Sequence, residues 1–173
     1  MEQAQIDLLV IDAKLGKDIA FAQLFNYFQQ GLLRYAYKVS SDSQIAQEAT
    51  QNSWIKVTRN LTKLKDPRAF KSWLFQLTHW QVLDLLRKQK IHDQCIDIEE
   101  VDELTSSAPA NENSELYFYI SQLENIDKQA IHLFYLEEMS LQEISIVLSI
   151  PIGTVKSRLN RARNTLKNKL SNQ

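Results

Sequence analysis

Two small helical domains joined by an acidic linker, an all-α architecture, are what this sequence predicts, on three observations. Apolar residues recur at three- and four-residue spacing along most of the chain. No sustained stretch alternates with the period of a strand. Charge is also partitioned: residues 56–90 hold nine basic and two acidic side chains, 91–116 hold eight acidic and no basic ones, and 151–173 hold six basic and no acidic ones, within a formal net charge of −1 over 173 residues. Two cationic surfaces suited to a polyanion, separated by a negative connector, follow from that partition.

The first domain is expected over residues 1–90. Ala20, Phe21, Leu24, Phe25, Phe28, Leu32, Tyr35, Ala36 and Val39 mark one helix, with Asp18 as its cap. A second helix, from Ser41 or Asp42 to Asn60, turns Ile45, Ala46, Ala49, Trp54, Ile55 and Val57 inward. Its other side carries Gln44, Gln47, Glu48, Gln51 and Asn52, which is either plain surface or a protein-docking face. Asp66-Pro67 supplies a cap and a first-turn proline for a third helix reaching about Lys90, with Phe70, Trp73, Leu74, Leu77, Trp80, Val82, Leu83 and Leu86 as its apolar set. Basic residues gather at its start (Arg59, Lys63, Lys65, Arg68, Lys71) and at its end (Arg87, Lys88, Lys90), where they also complement the helix dipole.

Residues 91–113 read as the linker, acidic and interrupted by Pro109. Helices are expected to resume near Ser114 and again from about Ile126 to Tyr135, within a second domain over 114–173. Ser140 and Glu143 have the spacing of a capping box opening a short helix with Leu141, Ile144, Val147 and Leu148 on one face. Pro151 and Gly153 interrupt it. A last helix then buries Val155, Leu159, Ala162, Leu166 and Leu170 and shows Lys156, Arg158, Arg161, Arg163, Lys167 and Lys169. Two short helices joined by a tight turn, the second basic, read as a helix-turn-helix for the DNA major groove.

Composition narrows the remaining classes. A single cysteine, Cys95, allows no intramolecular disulfide and no multi-cysteine metal site. His79, His92 and His132 are dispersed, and three glycines make no phosphate-cradling loop, so neither an enzyme nor a metal or cofactor site is expected. The absence of a membrane-length apolar run and of a secretory leader points to a cytoplasmic protein.

Glu143-Ile144-Ser145, Leu148-Ser149-Ile150-Pro151, Gly153 to Leu159 and Arg161-Ala162-Arg163 resemble the EIA, LGIP, GTVKSRL and RAR blocks of the extracytoplasmic-function (ECF) class of bacterial RNA polymerase sigma factors. Trp73-Leu74, Leu77, Asp84 and Arg87 are similar to the pattern of that family's promoter-melting helix, and Ala46 to Asn52 stands at its polymerase-docking motif. His79 and Trp80 replace the usual arginine and asparagine, Ser149 a usual glycine, and Glu124 a usual proline.

The resemblance implies an alternative sigma factor with three surfaces. Glu48, Gln51 and Asn52 would dock on core RNA polymerase. Lys63, Lys65, Arg68, Lys71 and Arg87 would meet the minus-ten element of promoter DNA, with Trp80 either bordering a pocket for a flipped base or belonging to the core. On the last helix Lys156, Ser157, Arg158, Asn160, Arg161 and Arg163 would face the minus-thirty-five element, with Thr154 placed for a phosphate. An anti-sigma factor is the further partner implied, and the acidic linker is either a tether or a nucleic-acid mimic. The competing reading is a helix-turn-helix regulator that never docks on polymerase.

Overall fold

The structure is a computed structural model that describes residues 1–95, 120 and 123–171. Its regular elements are all helical among these residues: α1 (Gln3–Lys14), α2 (Asp18–Ser40), α3 (Ser43–Asn60), α4 (Phe70–Cys95), α5 (Asn125–Ile131), α6 (Leu141–Leu148) and α7 (Ile152–Ser171). Short 3₁₀ turns at Leu61–Lys63 and Pro67–Ala69 join α3 to α4, and a π-turn at His132–Leu136 follows α5. No helix among the described residues is long and apolar enough to cross a membrane. The expected linker beyond Cys95, and the helix expected at Ser114 apart from helical Ile120, lie outside the described residues.

Local chemistry sets most of the boundaries. Asp42 caps α3, its Oδ1 accepting from Gln44 N at 2.7 Å and Ile45 N at 2.9 Å. Asp66 Oδ1 accepts from Arg68 N at 3.0 Å, and Pro67 opens the turn that leads into α4. Asp18, by contrast, is not the cap of α2. The chain turns through Gly16 at φ 84°, Lys17 takes the extended N-cap conformation, and Asp18 falls inside the first turn, where it complements the helix dipole. Helix α4 also runs on to Cys95, five residues past its expected end. Ile55 is another difference: one step round from Trp54, it turns out of the core and is 41 % exposed. Helix α1 was not among the expected elements; it packs through Ile6 and Val10.

Helices α2, α3 and α4 approach closely because their contact faces are small. Ala36, Ala46, Ala49 and Val82 form one apolar cluster with Ile45. Thr50, Ser53 and Thr78 are buried, and each hydroxyl donates to the carbonyl four residues earlier, so none is left unpaired.

The C-terminal unit does not stand apart from the N-terminal one. A single core runs through both, with Phe28, Leu32, Tyr35 and Leu74 clustered with Leu133, Met139, Ile144 and Val147. Helix α6 lies along α4, where Gln76 Nε2 donates to the Ile146 carbonyl at 2.7 Å. The π-turn delivers Glu137 to this seam, with Glu137 N on the His132 carbonyl at 3.2 Å. The Glu137 carboxylate sits 3.3 Å from His132 Nε2 and 3.7 Å from Arg34 Nη2. It lies so close to Gly31 of α2 that a Cβ there would meet Glu137 Oε2 at 2.9 Å. Burial works to raise the Glu137 carboxyl, but His132, Arg34 and Lys71 around it outweigh that and hold it below its ordinary value.

Candidate nucleic-acid interface

The helix-turn-helix forms as its local sequence dictates. Ser140 Oγ accepts from Glu143 N at 3.2 Å, and Glu143 Oε2 accepts from Ser140 N at 2.8 Å, closing the capping box. Ser149 ends α6 in the left-handed region, at φ 54° and ψ 41°, and its N–H returns to the Ser145 and Ile146 carbonyls. Ser145 Oγ donates to the Ile150 carbonyl at 2.6 Å, which pins the turn from inside. Val155, Leu159 and Ala162 are buried beneath α7 as their spacing predicts.

The expected reading residues of α7 fall into two groups. Lys156, Ser157 and Asn160 are exposed, and Ser157 donates to the Thr154 carbonyl one turn back. Thr154, at the start of the helix, is half-buried. Arg158 and Arg161, further round the helix, are held by carboxylates at the start of α5. Arg161 Nε donates to Asp127 Oδ2 at 2.8 Å, while Glu124 Oε2 accepts from Arg158 Nη1 at 2.8 Å and from Arg161 Nη2 at 2.5 Å. Arg163 donates from Nε to Tyr135 Oη at 2.8 Å and lies over the Phe134 and Tyr135 rings. In the sequence Glu124 stands out only as a departure from the family's proline, and Asp127 not at all. They stand 31 to 37 residues from their arginines, and only the pairing of acids at i and i+3 at the start of α5 hints at them.

The residues expected at the minus-ten element do not share one face. Lys63 and Lys65 are exposed at the turns before α4, Lys63 donating to Asn60 Oδ1 at 3.1 Å. Arg68 is exposed but chelated by Asp66, with Nη2 to Oδ2 at 2.9 Å; that pair holds the Asp66 carboxyl below its ordinary value. Lys71 is half-buried in the seam and donates to the Glu137 carbonyl, so here it is not an open phosphate contact. Trp80, nine residues on, points half a turn away and is 48 % exposed, which removes the reading of it as a core residue. With Trp73, Leu77, Asp84 and Arg87 it forms an accessible strip along α4. Its neighbour His79 is core, with Nδ1 3.0 Å from Tyr35 Oη, and burial lowers its pKa. Burial likewise pushes the Tyr35 phenol up.

On α3, Glu48 and Gln51 are exposed and Asn52 is half-buried. Gln51 and Gln47 rim a shallow groove floored by Phe21, Phe25, Trp54 and Ile55. Trp54 is fixed there by Nε1 donating to Gln29 Oε1 at 2.7 Å and by the Phe25 ring at 5.0 Å.

Comparison with known proteins places these two units. The family model Sigma-70 region 2 matches residues 24–91, and the model Sigma-70, region 4 matches residues 114–166. The ECF RNA polymerase sigma factor SigW of Bacillus subtilis is 25% identical over 173 residues, covering 91% of this chain and 92% of the relative. Among solved structures, CnrH in complex with the cytosolic domain of CnrY superposes with a TM-score of 0.69 at 22% identity, covering 98% of this chain and 99% of that one. The sigma factor RpoE, in complex with the anti-sigma factor NepR from Bartonella quintana, gives 0.67 at 23% identity, covering 87% and 96%. With both sigma-70 regions in order on one chain and a full-length ECF relative, the chain belongs to the ECF class of RNA polymerase sigma factors.

Proposed function

We propose that this protein is an alternative sigma factor whose α3 face docks on core RNA polymerase, whose α4 strip engages the minus-ten element, and whose α7 reads the minus-thirty-five element. The observation that carries the reading is the pairing of two sigma-70 regions on the units that bear those surfaces. A regulator built on a helix-turn-helix alone has no use for the N-terminal unit, which is why that alternative is not favoured.

In this reading residues 1–90 and 114–173 are the working domains, and Glu48, Gln51 and Asn52 present an uncrowded polar surface to the polymerase. Trp73 and Trp80 supply aromatic faces for unstacked bases, with Lys63, Lys65, Arg68 and Arg87 tracking phosphates around them. Lys71 joins them only once the two units part. Lys156, Ser157 and Asn160 meet base edges, and Thr154 meets a phosphate at the start of α7. The protein acts in the cytoplasm without catalysing a reaction of its own. An anti-sigma factor, the kind of partner named for RpoE of Bartonella quintana, holds it in reserve.

The test is run-off transcription with purified core polymerase over a genomic promoter library. Start sites that appear only when this protein is added support the reading. DNA binding by the protein with no start-site selection sinks it in favour of the polymerase-independent regulator.

A further inference from the structure

Helix α5 begins with a residue that does not do the work of a cap. Glu124 occupies the N-cap position, yet its side chain makes no capping hydrogen bond. It reaches across to α7 instead, where one oxygen, Oε2, accepts from both Arg158 and Arg161. Asp127, one turn further on, receives the same two arginines from beneath: Arg161 Nη2 and Nε lie 2.8 Å from Oδ2, and Arg158 Nη1 lies 3.5 Å from Oδ1.

The network is graded from dry to wet. The Asp127 side chain is 3 % exposed, Arg158 28 %, Arg161 47 % and Glu124 64 %. The inner carboxylate is a fixed anchor, because an arginine that left it would strand a buried charge. The outer carboxylate is different. It stands in water, its attraction is screened, and a phosphate or a guanine edge can take its place at small cost. Arg161 therefore keeps Nε and one side of Nη2 on Asp127, while the Nη2 contact to Glu124 is available for exchange.

We propose that Glu124 is a positioning residue for promoter recognition: an internal competitor that occupies the outer edges of Arg158 and Arg161 until cognate duplex displaces it. This rests on the reading of α7 as the minus-thirty-five helix. Generic duplex offers these arginines only phosphate oxygens, little better than the carboxylate they already hold, and it must also approach that negative charge. Cognate duplex adds bidentate base contacts that outcompete it. Glu124 thus lowers the affinity of α7 for DNA, and does so most where the arginines make their contacts and the carboxylate has to leave.

The experiment uses the full chain bound to core polymerase and a fluorescent duplex selected by the wild-type complex from a randomised minus-thirty-five library. The same duplex with its central positions substituted is the second probe. Glu124→Gln keeps the size of the side chain and removes the charge. Binding to the selected duplex is expected to tighten about three- to tenfold, binding to the substituted duplex by no more than that, and the salt slope to steepen by about one. In an Arg158→Gln, Arg161→Gln background the effect of Glu124→Gln should vanish. Glu138→Gln removes the same charge from a residue that touches neither arginine, and should leave both affinities unchanged.

No tightening on the selected duplex, a gain that survives loss of the arginines, or the same gain from Glu138→Gln overturns the inference and leaves the assignment of α7 intact. A wild-type complex that selects no minus-thirty-five sequence at all overturns that assignment instead.

Discussion

Replacing Ser149 by glycine should stabilise the protein. At φ 54° and ψ 41° Ser149 holds a conformation that costs an L-residue with a Cβ about 1–2 kcal/mol, and glycine adopts it without that penalty. The greater freedom of glycine in the unfolded chain returns up to about 1 kcal/mol of the gain. Ser149 is exposed and its side chain makes no hydrogen bond among the described residues, so little else is lost. The net is about 0.5–1 kcal/mol, which for a cooperative unit of this size raises Tm by about 1–4 °C. Scanning calorimetry with a parallel urea titration measures both quantities. Ser149→Ala keeps the strain and should match the wild type. Ser41, also left-handed at φ 58° at the end of α2, is a distant second site whose glycine variant should add to the first. An unchanged or lowered Tm for Ser149→Gly, with Ser149→Ala as stable as the wild type, would refute the claim that the turn of the helix-turn-helix is held under backbone strain.

Two further outcomes follow from the seam and from α4. Trp80→Ala should leave folding stability within about 0.5 kcal/mol, because the ring is half in water, yet weaken binding of the minus-ten single strand by about 1–3 kcal/mol; equal strand affinity in a filter-binding assay removes Trp80 from the interface. Glu137, whose folded pKa is depressed, contributes stability that is complete above its ordinary value of 4.5 and is lost as pH falls through the lower folded value. The urea midpoint of the wild type should therefore exceed that of Glu137→Gln above pH 4.5 and converge on it below. A pH-independent gap between the two would show that Glu137 acts by packing and not by charge.

Much of this fold is legible in the sequence wherever its cause is local. Asp42, Asp66-Pro67 and the Ser140–Glu143 box stop and start helices through hydrogen bonds spanning two or three residues, and each sits where its spacing puts it. Helix α1 is harder to see because Leu8 and Ile11 are apolar on its outer side, as is Leu15 just after it, which blurs the stripe of Ile6 and Val10. The binding surfaces were legible as families of positions and not as contacts. That Trp80 is open while Lys71 is covered depends on how α6 and the π-turn meet α4, a pairing of residues about 70 apart. The carboxylates that hold Arg158 and Arg161 were hidden for the same reason, since nothing in the GTVKSRL block announces a partner 34 residues upstream.

The two halves of the molecule hold each other through oil-like contact, Phe28, Leu32 and Leu74 against Leu133, Met139 and Ile144, beside the Arg34–Glu137 ion pair. Attraction of that kind weakens in the cold. The clasp is thus a thermometer of sorts: chilled, the halves loosen their grip on one another, and warmed within the range where the helices themselves survive, they tighten it.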